Sequence, residues 1–228
     1  VGSIAGPANP AVVTMDQHQT VMAVFGRLGA SFCLDFEGDL PPGASLAGNA
    51  RVQSGALHLT EAADSQQGSL IFQADRPYAG FRATFRALIG DGTATPADGL
   101  SFCFGSGMVD SFGEEGTGNN LIVSFDTYRN EEEVAPAVAV RWQGRTLAEK
   151  EMAIVKYAPA RFLEVEVVLT PEGRVSVQYD AQLVHPGVLI PDYRPPAGNA
   201  CFGIGARTGG YNSKHWVDDL CIEDVVLP

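Results

Sequence analysis

Residues 163–179 constrain this chain more than any other stretch. Leu163, Val165, Val167 and Leu169 occupy every second position, with Glu164 and Glu166 among the residues between them. Pro171, Glu172 and Gly173 break the run, and Val175, Val177 and Tyr179 resume it against Ser176 and Gln178. A period of two sends successive side chains to opposite faces of an extended chain, so this is a β-hairpin with one buried face. Residues 80–88 repeat the pattern, with Phe81, Ala83 and Phe85 set against Arg82, Thr84 and Arg86. Residues 100–104, 121–125, 137–142 and 201–206 read as further strands. With 26 Gly and 14 Pro in 228 residues, the chain turns often and its strands stay short. Strands parted by Gly, Pro and Asp clusters predict antiparallel sheets closed as a sandwich or barrel. Residues 16–28 and 145–156 fit a short helix and a strand equally well. The first clear core strand begins near Ser31, so residues 1–30 are expected to be an N-terminal extension or linker ahead of a domain over 31–228.

The charge balance narrows the function. Fifteen Lys and Arg face 27 Asp and Glu, a net of −12. Phosphate contacts need clustered basic residues, so nucleic acid is not an expected partner. No apolar run approaches the roughly 18 residues that span a bilayer, so membrane insertion is not expected either. The four cysteines, Cys33, Cys103, Cys201 and Cys221, form no CxxC or zinc-like spacing, and an even count accords with an oxidising compartment. The start at Val1 carries no leader pattern and reads as a mature or excised end, with flanking domains expected in a longer chain. No Asn-x-Ser/Thr sequon is present.

Three stretches follow one another in a telling order. They are Pro96-Ala97-Asp98-Gly99-Leu100-Ser101-Phe102, then Val123-Ser124-Phe125-Asp126-Thr127-Tyr128-Arg129-Asn130, then Phe202-Gly203-Ile204-Gly205-Ala206-Arg207-Thr208-Gly209-Gly210 followed by His215-Trp216-Val217-Asp218. Together they resemble the L-type lectins, the group that includes legume lectins and the cargo lectins of the early secretory pathway. The resemblance implies an all-β fold, a concanavalin-A-like jelly-roll sandwich of two antiparallel sheets, with sugar held by loops on its concave side. It implies a calcium-dependent glycan-binding domain that is secreted, on the cell surface or in the secretory pathway. The alternative is a jelly-roll module for protein interaction or adhesion that binds no sugar.

The resemblance assigns roles residue by residue. Asp98 matches the Asp that accepts hydrogen bonds from sugar hydroxyls, after an Ala-Asp peptide that is often cis in plant relatives. A carboxylate suits that task because it only accepts and can receive two adjacent hydroxyls. Without a ligand, Asp98 is a turn residue before Gly99. Asp126, Tyr128 and Asn130 match the calcium loop, offering a carboxylate, a backbone carbonyl and an amide oxygen, all hard donors. Asn130 would also donate its amide to sugar, and Gly209 and Gly210 match the loop whose backbone approaches sugar closely. Tyr211 is the aromatic candidate for sugar contact. His215 is read as structural, and Trp142 and Trp216 as core residues.

The departures are equally specific. Ser124 stands where plant lectins carry a Glu for a second, transition metal, and the apolar run 137–140 replaces their His, so no manganese site is expected. Ala135 stands where they carry an Asp before Pro as a further calcium ligand. Glu133 is the candidate substitute, against the reading of residues 131–133 as a solvated acidic loop.

Glycoside hydrolases share the architecture, so their chemistry is a fair question. They need two carboxyl groups flanking the scissile bond. The one alternating acidic strand holds Glu164 and Glu166, which read as the exposed face of a hairpin. There is no nucleophile elbow, phosphate loop or HExxH motif. An enzyme is therefore not expected. On a jelly roll the first and last core strands commonly lie side by side, which makes a Cys33–Cys221 pair plausible and leaves Cys103 with Cys201. The sequence does not choose among the three pairings, or between them and four buried thiols.

Overall fold

A computed structural model describes residues 27–118, 120–130, 134–153, 161–196, 198 and 200–226. Fifteen strands form two antiparallel sheets among these residues. The larger sheet is built from β1 (Arg27–Leu34), β3 (Arg51–Gln53), β4 (Ala56–Thr60), β6 (Phe81–Gly90), β11 (Leu163–Leu169), β12 (Arg174–Tyr179), β13 (Gln182–Leu189) and β15 (Lys214–Val226). Its order is β13-β12-β11-β6-β15-β4-β3, with β1 also paired to β15. The smaller sheet is built from β2 (Ala44–Gly48), β5 (Gln67–Gln73), β7 (Gly99–Gly105), β8 (Leu121–Asp126), β9 (Ala137–Trp142), β10 (Arg145–Glu151) and β14 (Cys201–Arg207). Its order is β10-β9-β8-β7-β14-β5-β2. No helix among the described residues is long and apolar enough to cross a membrane.

Alternation explains why these strands stack as two layers. In β6 the burial pattern alternates from Phe81 to Phe85, and in β11 Leu163, Val165 and Val167 are buried while Glu164 is exposed. The inward faces meet in one core, where Phe81, Phe102, Phe104 and Phe202 contact one another edge-on or tilted. Aromatic rings of this size carry most of the burial energy of such a core. Glu164 and Glu166 lie on the outer face, where Glu166 pairs with Arg82 at 2.6 Å.

Several expectations change. The ambiguous stretch at 145–156 opens as an edge strand, β10, and residues 154–156 lie outside the description. Of the ambiguous stretch 16–28, only Arg27 and Leu28 are described, and both belong to β1, which starts before Ser31. Cys33 and Cys221 face each other across β1 and β15 and form a disulfide. Cys103 and Cys201 are free thiols, not partners. Cys103 is opposite Gly203 and Cys201 opposite Gly105, so the two are diagonal neighbours, a separation greater than a disulfide tolerates. Cys33 is exposed rather than buried.

Trp216 also departs from its expected place. Trp142 joins the core, but Trp216 is only half-buried and stacks on His58 with ring centres 3.8 Å apart. Residues His215 and Val217 point inward from β15, so Trp216 between them must point outward. A register shift between Asp218 and Cys221 then changes the parity, and Leu220 and Ile222 take the inward positions.

The outer face of the smaller sheet is covered by residues 106–118. Phe112 sits over Gly203 and Gly205, and a Cβ at Gly205 would lie 2.5 Å from its ring. The Ser101 hydroxyl donates to the Gly113 carbonyl at 2.6 Å, holding the crossing segment down. A side chain at position 205 would lift this whole cover off the sheet.

Candidate functional site

Three neighbouring strand ends bring the candidate residues together. Gly99, the first residue of β7, is opposite Asp126, the last of β8, and opposite Arg207, the last of β14. Asp98 therefore enters the sheet between Asp126 and Arg207. Gly99 is required there: its φ is +147°, and a Cβ would meet the Phe125 carbonyl oxygen at 2.3 Å. The Ala97–Asp98 peptide is cis.

Asp98 is held at several points. Its N–H donates to the Arg207 carbonyl at 2.9 Å, and its own carbonyl accepts from the Thr127 N–H at 2.8 Å and the Thr127 hydroxyl at 3.0 Å. Its Oδ2 accepts from Arg207 Nε at 3.0 Å. Its Oδ1 lies on the Gly209 side, 3.3 Å from where a Cβ of that glycine would stand. Burial pushes the Asp98 pKa upward, while the Arg207 cation pulls it down. Burial has the same upward effect on Glu114, which receives Arg207 Nη2 on Oε1 at 2.6 Å.

The other wall is the 126–130 turn. Asp126 Oδ1 accepts from the Tyr128 N–H at 2.9 Å, an Asx turn that folds the chain back over the strand end. Tyr128 and Asn130 thereby line the same cleft as Asp98, Arg207, Thr208, Gly209, Gly210 and Tyr211, a cavity of about 420 Å³. The Tyr128 and Tyr211 rings stack at 5.6 Å, and Tyr211 is 46% exposed. The Tyr128 ring had no sequence signal beyond its place in the calcium loop, where only its carbonyl was assigned a role.

The glycine loop is clamped from below. The Thr208 hydroxyl donates to the Ala63 carbonyl at 2.7 Å and accepts from the Gln66 N–H, while the Asn212 amide donates to Asp64 at 2.6 Å. The Gly209 N–H is used inside the loop, donating to the Tyr211 carbonyl at 3.1 Å. Gly210 faces open space. His215 lies below, fully buried, with Nδ1 2.7 Å from the Thr60 hydroxyl, and does not line the cleft.

The donor set suits calcium in kind. Asp126, the Tyr128 carbonyl and Asn130 offer oxygen only, as a hard cation requires, and the Asx turn keeps all three on one loop. Among the described residues no three His, Cys, Asp or Glu converge as a metal cluster; within residues 126–130 the carboxylate is that of Asp126. Glu133 lies outside the described residues. Ala135 is buried ahead of a cis Pro136. Ser124 is buried opposite Ala139.

The model of the legume-like lectin family matches residues 33–153, just over half of the chain. No curated protein sequence matches it. Among solved structures, the exoplasmic/lumenal domain of VIP36 in a Ca2+/Man3GlcNAc-bound form is similar at a TM-score of 0.68 and 20% identity, over 82% of this chain and 88% of that one. The metal-free lectin I-B4 from Griffonia simplicifolia aligns at 0.69 and 17%, over 85% and 98%. The carbohydrate recognition domain of Emp47p aligns at 0.63 and 16%, over 88% and 97%. At such identities these structures share the fold, a jelly-roll sandwich.

Proposed function

We propose that this chain, which belongs to the legume-like lectin family, binds glycans reversibly in the cleft around Asp98. The observation that carries the reading is the convergence of Asp98, Asn130, Gly209, Gly210 and Tyr211 on one 420 Å³ cavity, from strands and loops far apart in sequence. The Asp98 carboxylate orients the sugar by accepting from adjacent hydroxyls through Oδ1. Asn130 adds an amide hydrogen bond, and the stacked Tyr128–Tyr211 pair offers an aromatic face to the apolar side of a sugar ring. Gly210 keeps the rim low enough for backbone approach.

Asp126, the Tyr128 carbonyl and Asn130 would hold calcium, with Glu133 as a fourth ligand and water completing the shell. When bound, the ion supplies a fixed charge that holds this loop in shape, so less ordering cost falls on sugar binding. The proposal includes no manganese, because Ser124 and Ala139 offer that ion no carboxylate or imidazole. Binding without chemical change fits the family. The Cys33–Cys221 disulfide supports a secreted, cell-surface or secretory-pathway setting. The lectin unit, expected over residues 31–228, is proposed to begin with β1 at Arg27, with the preceding residues as an extension and further domains flanking it in a longer protein.

A non-sugar-binding interaction module is the competing reading, and Ala135 favours it. A glycan array decides between them. The wild type should bind a discrete set of glycans in millimolar calcium, and Asp98→Ala should lose them while keeping its melting midpoint. A wild type that binds no glycan with or without calcium sinks the lectin reading and leaves the interaction module.

A further inference from the structure

Arg207 appears in none of the roles that the family resemblance assigns, yet among the described residues it is the cation that lines the cleft together with Asp98. We propose that Arg207 is a positioning residue for sugar binding: a built-in cation that fixes the Asp98 carboxylate so that only Oδ1 faces the ligand. This rests on the lectin reading.

Gly203 and Gly205 leave room on the outer sheet face for Phe112. Phe112 seats residues 106–118 on that face, and this puts Glu114 beside the end of β14. Glu114 is buried, 4% exposed, and its Oε1 takes Arg207 Nη2 at 2.6 Å. The guanidinium, anchored there, turns Nε onto Asp98 Oδ2 at 3.0 Å, while Arg207's own carbonyl holds the Asp98 N–H. Glu115 lies further out, 3.9 Å from Nη2. A planar fork suits this task because it meets two carboxylates at fixed angles.

Two consequences follow. Asp98 and Glu114 would repel each other without the cation between them, and Asp98 would then swing away from its ligand-ready rotamer. Arg207 is also largely neutralised by its acidic partners, so it does not turn the cleft into an anion site. The Asp98 carboxylate is thus set by the protein's own charges, while the Asp98 backbone carbonyl is tied to Thr127 of the 126–130 loop.

The test titrates wild type, Arg207→Met, Arg207→Lys and Glu114→Gln with mannobiose and methyl α-galactoside in millimolar calcium, with thermal melts as a fold control. Arg207→Met should weaken binding roughly tenfold or more, the size of a lost charge-assisted contact. Arg207→Lys should fall between Met and wild type, because an ammonium reaches one carboxylate but does not fork between two. Glu114→Gln should weaken binding roughly threefold, and should add nothing in the Arg207→Met background, since both changes act through one contact. A Met variant with wild-type affinity, or a Lys variant no better than Met, overturns the proposal. If the Met variant does not fold, Glu114→Gln carries the test, and wild-type affinity there overturns it. A wild type that binds neither sugar, nor any glycan on the array, removes the lectin reading and this inference with it.

Discussion

The two walls of the cleft are built differently. On one side Asp98 is held by Arg207 and Thr127 at 3.0 Å, and Arg207 is anchored in turn by the buried Glu114 at 2.6 Å. On the other, an Asx turn at Asp126 shapes residues 126–130, which offer the oxygens of Asp126, the Tyr128 carbonyl and Asn130. The first wall is preorganised by folding. The second offers oxygen donors and, on the proposed reading, would be held further by a bound cation. If the proposed calcium is bound, the cleft divides its ordering between an internal cation and an external one, and the two contributions should separate experimentally.

The largest effect should come from dismantling the first wall at its root. Phe112→Ala removes a side chain that is 4% exposed, and Phe→Ala changes in packed sites cost about 3–5 kcal/mol. Thermal or urea unfolding should register that loss, and titration should find weaker sugar binding in the folded fraction. A variant that loses stability but keeps full affinity would break the link from Phe112 through Glu114 to Arg207.

Removing the Cys33–Cys221 bridge offers a control that touches neither wall. The bridge closes a loop with a sequence separation of 188. Replacing both cysteines by serine should cost about 2–4 kcal/mol, in the range usual for disulfides. Sugar affinity should stay within twofold or so. A large loss of affinity would mean that the walls depend on the far edge of the larger sheet.

The proposed calcium tests the second wall. At a hundred times its dissociation constant the ion should add about 2.7 kcal/mol, which raises the melting midpoint by several degrees. EDTA and Asp126→Ala should each abolish that rise, and Arg207→Met should leave it intact. A rise that Arg207→Met also abolishes would merge the two walls into one unit.

An effect confined to acid concerns His215, fully buried on β15. Burial holds His215 neutral, with its pKa pushed down to about 3 from an ordinary 6.5. A depressed value means that the unfolded chain takes up its proton first as pH falls. The contribution is therefore complete above pH 6.5 and is lost progressively between 6.5 and about 3. His215→Gln should flatten the midpoint-against-pH curve over that window relative to wild type. An unchanged curve would mean that His215 does not gate acid stability.

Much of the fold was legible because alternation is a local signal. β6, β11 and β12 could be read residue by residue from the side chains of Phe81, Val165 and Val177. What escaped was non-local. Trp216 alternates correctly with His215 and Val217, but alternation alone does not say which parity faces the core, and the register shift after Asp218 changes it. Cys103 and Cys201 were both in neighbouring strands, yet their diagonal register only emerges once β7 and β14 are aligned. In the site, Asp98 and the 126–130 loop were found through motif resemblance. Arg207 stood in plain view inside a quoted motif and had no visible partner, because Glu114 is 93 positions away. One signal could have exposed it. Gly203 and Gly205 alternate on one strand face, which marks a surface that something bulky must cover, and Phe112 beside Glu114 is that cover.

Calorimetric titration of wild type and Asp98→Ala, with the strongest glycan from the array and calcium present, tests the central claim most directly. The account predicts saturable one-site binding by wild type and a loss of roughly a hundredfold in the variant, the scale of a buried charge-assisted contact at the heart of a site. The variant's melting midpoint should stay within about 2 °C of wild type, as expected when the change costs well under 1 kcal/mol of stability. Equal affinity in the two proteins would contradict the placement of sugar at Asp98.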